Sequence, residues 1–134
     1  MTLEVRREGE HEFTGRNERG ATVRLGRKGA PEAFSPVELL QIAVAGCAAV
    51  TAEELITRRT GPELRATVAA DRHEGAAELD AVHVRFDVDL SELGADERAT
   101  LVAAVNRAIE RLCTVSRTLE KGVPVTEDFA PPPR

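Results

Sequence analysis

Residues 35–59, SPVELLQIAVAGCAAVTAEELITRR, constrain this chain more than any other stretch. They form the longest nearly uncharged run in a sequence whose charged residues make up 31%. Ser35 suits the N-cap, and Pro36 suits the first helical position, where its missing N–H costs nothing. Glu38 lies in the first turn and Arg58 and Arg59 in the last, as the helix dipole favours. Gly61-Pro62 ends the helix. The run is apolar nearly all round, which predicts a buried central helix rather than a surface one. Cys47 sits at its middle, beside Gly46 and among alanines.

The rest of the chain reads as short strands and two further helices. Residues 2–6, 11–14 and 21–25 form an N-terminal meander of three strands, the last two joined by the polar turn GRNERG. A Gly- and Pro-containing loop, residues 26–34, leads into the central helix. Residues 64–72 alternate small apolar and polar positions. Residues 81–90, AVHVRFDVDL, alternate cleanly, with Val82, Val84, Phe86, Val88 and Leu90 on one face. A helix is predicted over 95–112, and a short helix over 116–121 with Ser116 as N-cap and Gly122 as an αL cap. Residues 123–129 read as a last strand. The order is βββ-α-ββ-α-α-β. Strands and helices are segregated, so the fold class is α+β: a mostly antiparallel sheet around a long buried central helix. One domain is expected over 1–129, with a Pro-rich tail at 130–134. One chain of short strands is too small to cover so long an apolar helix, so a second copy is expected to cover it.

Composition narrows the function. The net charge of −5 and the 3% aromatic content, with no Trp or Tyr, argue against nucleic acid as a partner. Glu38, Gln41, Thr51, Glu53 and Glu54 interrupt the apolar run, so no membrane span is read and a cytoplasmic location is expected. His11, His73 and His83 are scattered, and Asp87, Asp89 and Glu92 read as a solvated acidic face. No metal or organic cofactor is expected.

Two cysteines remain, Cys47 and Cys113, 66 residues apart and outside any CxxC motif. Either both are small buried hydrophobes, or they form a redox pair in which one thiolate attacks a peroxide and the other thiol condenses with the sulfenic acid. Cys113 precedes a short helix whose N–H groups favour a thiolate. Cys47 lies mid-helix among Ala43, Val44, Val50 and Thr51, so its activation needs a cation or donor from elsewhere in the fold.

SPVELL followed on the same helix by the cysteine of AGC, together with CTVSRTLEKGVPV at 113–125, resembles the OsmC/Ohr family of small hydroperoxide-handling proteins, in its PVELL-type branch. The resemblance implies an intertwined homodimer with active sites at the subunit interface. It implies thiol-dependent reduction of organic hydroperoxides, with Cys47 as the peroxidatic and Cys113 as the resolving cysteine. An external, lipoyl-type dithiol would be the reductant. It also implies an activating arginine near the N-terminal turn, for which Arg16 is chosen over Arg19 and Arg24, salt-bridged to a glutamate at the helix start.

Here the sequence departs from the family branch best known for organic hydroperoxides. Val37 follows the proline where that branch has the glutamate, and the acid comes one residue later, at Glu38. Nine residues at about 100° each put Glu38 roughly 180° around the helix from Cys47. This leaves a second reading open: a non-catalytic dimer of the same fold that binds a small apolar ligand or senses redox state.

Overall fold

The computed structural model describes residues 2–129. The element order is β1 (Glu4–Gly9), β2 (Glu12–Arg16), β3 (Thr22–Gly26), α1 (Pro36–Thr60), β4 (Arg65–Asp71), β5 (Ala81–Asp87), α2 (Ala95–Leu112) and α3 (Thr114–Lys121). The α+β class expected from the sequence is what the chain adopts. Its contacts divide it into two compact units. One takes in the residues up to Gly46 and Ala66–Asp87; the other takes in Cys47–Arg65 and the chain from Val88 onward.

In the first unit, β1, β2 and β3 form an antiparallel meander in that order. The β1–β2 register shifts between Arg7 and Gly9, and the turn that follows holds His11 at φ 61°. Asn17 organises the β2–β3 turn: its Oδ1 accepts the N–H groups of Arg19 and Ala21, at 3.0 and 2.9 Å. That is the local backbone mimicry that makes Asn a turn residue. Leu25 and Phe34 form a single bridge beyond the meander. β4 and β5 form a separate two-stranded sheet. Asp80 N–H donates to Asp71 O, and the His73 ring meets the Asp80 carboxylate.

α1 begins and ends where its sequence signals say. Ser35 O accepts Leu39 N–H at 3.0 Å, Pro36 is the first helical residue, and Gly61 leaves the helix at φ 99°. A positive φ is open to glycine at little cost. Its burial differs from the expectation. Val44, Ala45, Ala48, Ala52 and Ile56 form one buried stripe, whereas Val37, Leu40, Ile42 and Val50 are exposed, Val50 at 77%. One chain covers a single face of this apolar helix. By length and composition α1 is also long and apolar enough to cross a membrane, so its few polar side chains do not by themselves rule that out.

The second unit adds α2 and α3 to the later part of α1. Leu101 and Val105 are the buried residues of α2, four apart on one face. At its start the Glu97 carboxylate accepts Gly94 N–H at 3.3 Å. Three expectations are corrected here. α3 starts at Thr114 with Cys113 as its N-cap, two residues before the predicted start at Ser116. Gly122 has the expected positive φ, 75°, but its ψ of 144° is extended rather than αL. Residues 123–129 form no strand. Val123 and Val125 alternate as a strand would, but they are 52% and 79% exposed and pair with no neighbouring strand among the described residues. The tail at 130–134 lies outside the described residues.

Candidate functional site

Cys47 and Cys113 belong to the same unit, and both are free thiols. Cys47 lies in α1, half-buried; its carbonyl accepts the Thr51 hydroxyl at 2.7 Å. Cys113 is fully buried at the junction of α2 and α3. It closes α2 by donating its N–H to Ile109 O, and opens α3 by accepting Arg117 N–H, each at 3.0 Å. That double role fixes its backbone from both sides, so its sulfur is held by two helices.

The surroundings of the Cys113 sulfur act on its charge in opposite directions. Burial pushes the thiol up. The Ser116 hydroxyl and N–H, the Cys47 side chain and the Val115 N–H together outweigh burial and hold it below the ordinary thiol value. The thiol donates to Ser116 Oγ at 3.3 Å; as a thiolate it would accept from the same hydroxyl. Ser116 and Val115 lie in the first turn of α3, whose N–H groups have no partner within the helix and favour an anion. The two cysteines of the sequence reading are thus neighbours: the Cys47 side chain acts on the Cys113 thiol. The sequence reading missed Ser116 as a partner of the sulfur. Its signal was present: a hydroxyl three residues after a cysteine that caps a helix. Ser116 also lines a surface cavity of about 570 Å³ with Arg117, Thr118 and Lys121. Arg117 is tied to α2 through Nη1 donating to Glu110 O at 2.8 Å.

Arg16 and Glu38 belong to the other unit. Arg16 ends β2, exposed, opposite Glu4 and Thr22 in the sheet register. Glu38 is occupied at the start of α1. Its Oε1 accepts Ser35 N–H at 2.8 Å, and its own N–H donates to Ser35 Oγ at 3.1 Å, a reciprocal capping box. Among the described residues Arg16 and Glu38 form no ion pair, so the arginine–glutamate bridge implied by the resemblance is not formed. Of the other candidates, Arg24 pairs with Glu32 at 3.7 Å and Arg19 lies in the β2–β3 turn. Asp89, on the acidic face, is held below the usual carboxylate range by the Ser91 hydroxyl and N–H.

The family model of the OsmC-like protein matches residues 29–128. The chain belongs to the OsmC-like family. Uncharacterized proteins of Mycobacterium tuberculosis and Mycobacterium bovis are each 39% identical to it over 127 residues, 92% of this chain and 91% of theirs. Among solved structures, an OsmC-like protein from Mycoplasma pneumoniae superposes with a TM-score of 0.66 at 17% identity, covering 89% of this chain and 86% of that one. A Psychrobacter arcticus protein, described as osmotic stress induced and of the detoxification response, gives 0.66 at 19% identity, covering 88% and 87%. At these identities the structures establish a shared OsmC-like fold.

Proposed function

We propose that this OsmC-like protein is a thiol-dependent hydroperoxide reductase of the stress response, with Cys47 as the peroxidatic and Cys113 as the resolving cysteine. The observation that carries the reading is that both cysteines are free and lie in one compact unit, with the Cys47 side chain near enough to the Cys113 sulfur to help lower its thiol. In the first step the Cys47 sulfur attacks the distal oxygen of ROOH. The O–O bond breaks, ROH leaves, and Cys47 becomes a sulfenic acid. As a thiolate, Cys113 would take the proton that Cys47 gives up and pass it to the departing alkoxide, which leaves as ROH. In the second step the Cys113 thiolate displaces hydroxide from the sulfenic acid, a disulfide forms, and the hydroxide takes a proton from solvent to leave as water. An external dithiol of the lipoyl type then reduces that disulfide and is itself oxidised to a cyclic disulfide. No metal or organic cofactor takes part. An alkyl hydroperoxide is favoured over hydrogen peroxide because burying its chain contributes about 0.8 kcal/mol per CH₂.

The working form is a homodimer in the cytoplasm. The apolar side chains that one chain leaves exposed along α1, among them Leu40, Ile42 and Val50, support the dimer. The test is hydroperoxide consumption with dihydrolipoamide, using cumene hydroperoxide and hydrogen peroxide in parallel. Wild type turns over, Cys47→Ser is inactive, and Cys113→Ser consumes about one equivalent and stops. Equal inertness of all three proteins would sink the reading. The cap position of Glu38 favours the other reading, a redox-sensing or ligand-binding dimer, because one oxygen of this carboxylate already serves the helix start and Arg16 forms no ion pair with it among the described residues. In that case the disulfide still forms, but no turnover accompanies it.

A further inference from the structure

We propose that the Cys47–Cys113 disulfide is polarised: the reductant attacks the Cys47 sulfur, Cys113 departs as the thiolate, and Ser116 is the positioning residue that receives it. This deepens the hydroperoxide-reductase reading above and rests on it.

Two observations lead there. The first is access. Cys113 is 0% exposed, whereas Cys47 is half-buried, so an incoming thiolate has a path to one sulfur and not to the other. Exchange is an in-line displacement at sulfur, and the sulfur that can be approached is the one attacked. The second is the seat of the leaving group. Ser116 Oγ lies 3.3 Å from the Cys113 sulfur, and Cys113 is the N-cap of α3, so the first-turn N–H groups follow it directly. A thiolate released there has a hydroxyl and oriented amides ready to receive it. A disulfide breaks faster when the departing sulfur is the better-stabilised thiolate.

The exchange balances as RS⁻ + Cys47–S–S–Cys113 → RS–S–Cys47 + ⁻S–Cys113. One S–S bond forms as another breaks, and the electron pair goes to Cys113. The second thiol of the dithiol then attacks the mixed disulfide, leaves as a cyclic disulfide, and returns Cys47 to its reduced form. The same seat thus serves both halves of the cycle: it holds the Cys113 sulfur before oxidation and receives it as a thiolate on reduction.

The experiment oxidises the full-length protein with one equivalent of cumene hydroperoxide and adds the monothiol 2-mercaptoethanol. The products are quenched with acid and the adduct is mapped by peptide mass spectrometry. The mercaptoethanol adduct is expected on Cys47. An adduct mainly on Cys113 overturns the proposal and leaves the reductase reading intact; failure of any disulfide to form overturns both. Ser116→Ala slows reduction of the preformed disulfide about tenfold, the size expected when a hydrogen bond to a charged sulfur is lost. Ser116→Thr, which keeps the hydroxyl, restores most of the rate. Equal rates for Ser116→Ala and wild type would remove Ser116 from the step.

Discussion

Ser35 and Glu38 hold each other at the start of α1: Ser35 N–H donates to Glu38 Oε1 at 2.8 Å, and Glu38 N–H donates to Ser35 Oγ at 3.1 Å. Ser35 is itself nearly buried, at 9% exposure. Leaving its amide without a partner there carries a desolvation cost as well as a lost bond. The first-turn acid of α1 therefore serves the structure of the helix start.

Removing either half of the pair lowers stability. Ser35→Ala costs about 1 kcal/mol, the usual cost of losing an N-cap side chain. Glu38→Ala costs a similar amount, and Glu38→Gln, which keeps an acceptor oxygen, costs less. Urea denaturation of the three variants reads these differences at unchanged m-value. A loss of hydroperoxide turnover in Glu38→Gln well beyond its loss of stability would return the carboxylate to the thiol chemistry.

Stability also carries a signature of the Cys113 sulfur. Burial raises its thiol, but the bonds from Ser116, Cys47 and Val115 lower it further, so the folded value lies below the ordinary one. For an acid depressed on folding, the unfolded chain binds more protons in the window between the two values, so stability rises with pH there. The contribution is complete above the ordinary thiol value of about 8.5 and is lost as pH falls through the depressed folded value. Reduced wild type should therefore gain stability across that window relative to Cys113→Ser, and thiolate absorbance should appear at lower pH than for an unperturbed thiol. Parallel pH–stability profiles for the two proteins would contradict the assignment.

Much of the fold was legible because its signals are local. Ser35-Pro36 and Gly61 bracket α1, and the apolar periodicity of 95–112 gives α2 to the residue. The stretch after Gly122 was not legible, because alternation at Val123 and Val125 records which faces differ, not whether another strand lies alongside. A strand depends on that neighbour for its hydrogen bonds. The start of α3 was misjudged for a related reason. Ser116 has the chemistry of an N-cap, but Cys113 already closes α2 and takes the cap position, and this frees the Ser116 hydroxyl for the sulfur. In the site, the motifs marked the two cysteine segments, and both cysteines fall in one compact unit. The partner of Glu38 was not, since a first-turn acid can serve equally as a cap, as a dipole partner or as half of an ion pair.

Leu101 tests how much of the second unit hangs on α2. It is 2% exposed and, with Val105, forms the buried face of that helix. Leu101→Ala should destabilise by about 2–5 kcal/mol through lost burial and the cavity left behind. α2 ends on Cys113, so the loosened helix should also make that thiol react faster with a bulky alkylating reagent. Unchanged labelling at Cys113 in a clearly destabilised variant would mean that α3 alone holds the sulfur.

Val50 decides whether α1 is covered by a second copy. It lies on the same helix as Cys47 and is 77% exposed, with Leu40 and Ile42 exposed nearer the helix start. An isolated exposed Val needs no explanation, but a helix long and apolar enough by composition to cross a membrane, and buried along only one stripe, does. If a partner covers that surface, Val50→Glu places an unpaired charge in an apolar interface, which costs several kcal/mol per site. Sedimentation velocity should then give a dimer for wild type and a monomer or a strongly weakened dimer for Val50→Glu. Where Val50 is solvated, the substitution falls among surface changes worth within about 0.5 kcal/mol and the two profiles coincide. Coincident dimers would place the interface away from Val50, and coincident monomers would remove the second copy from the proposed working form.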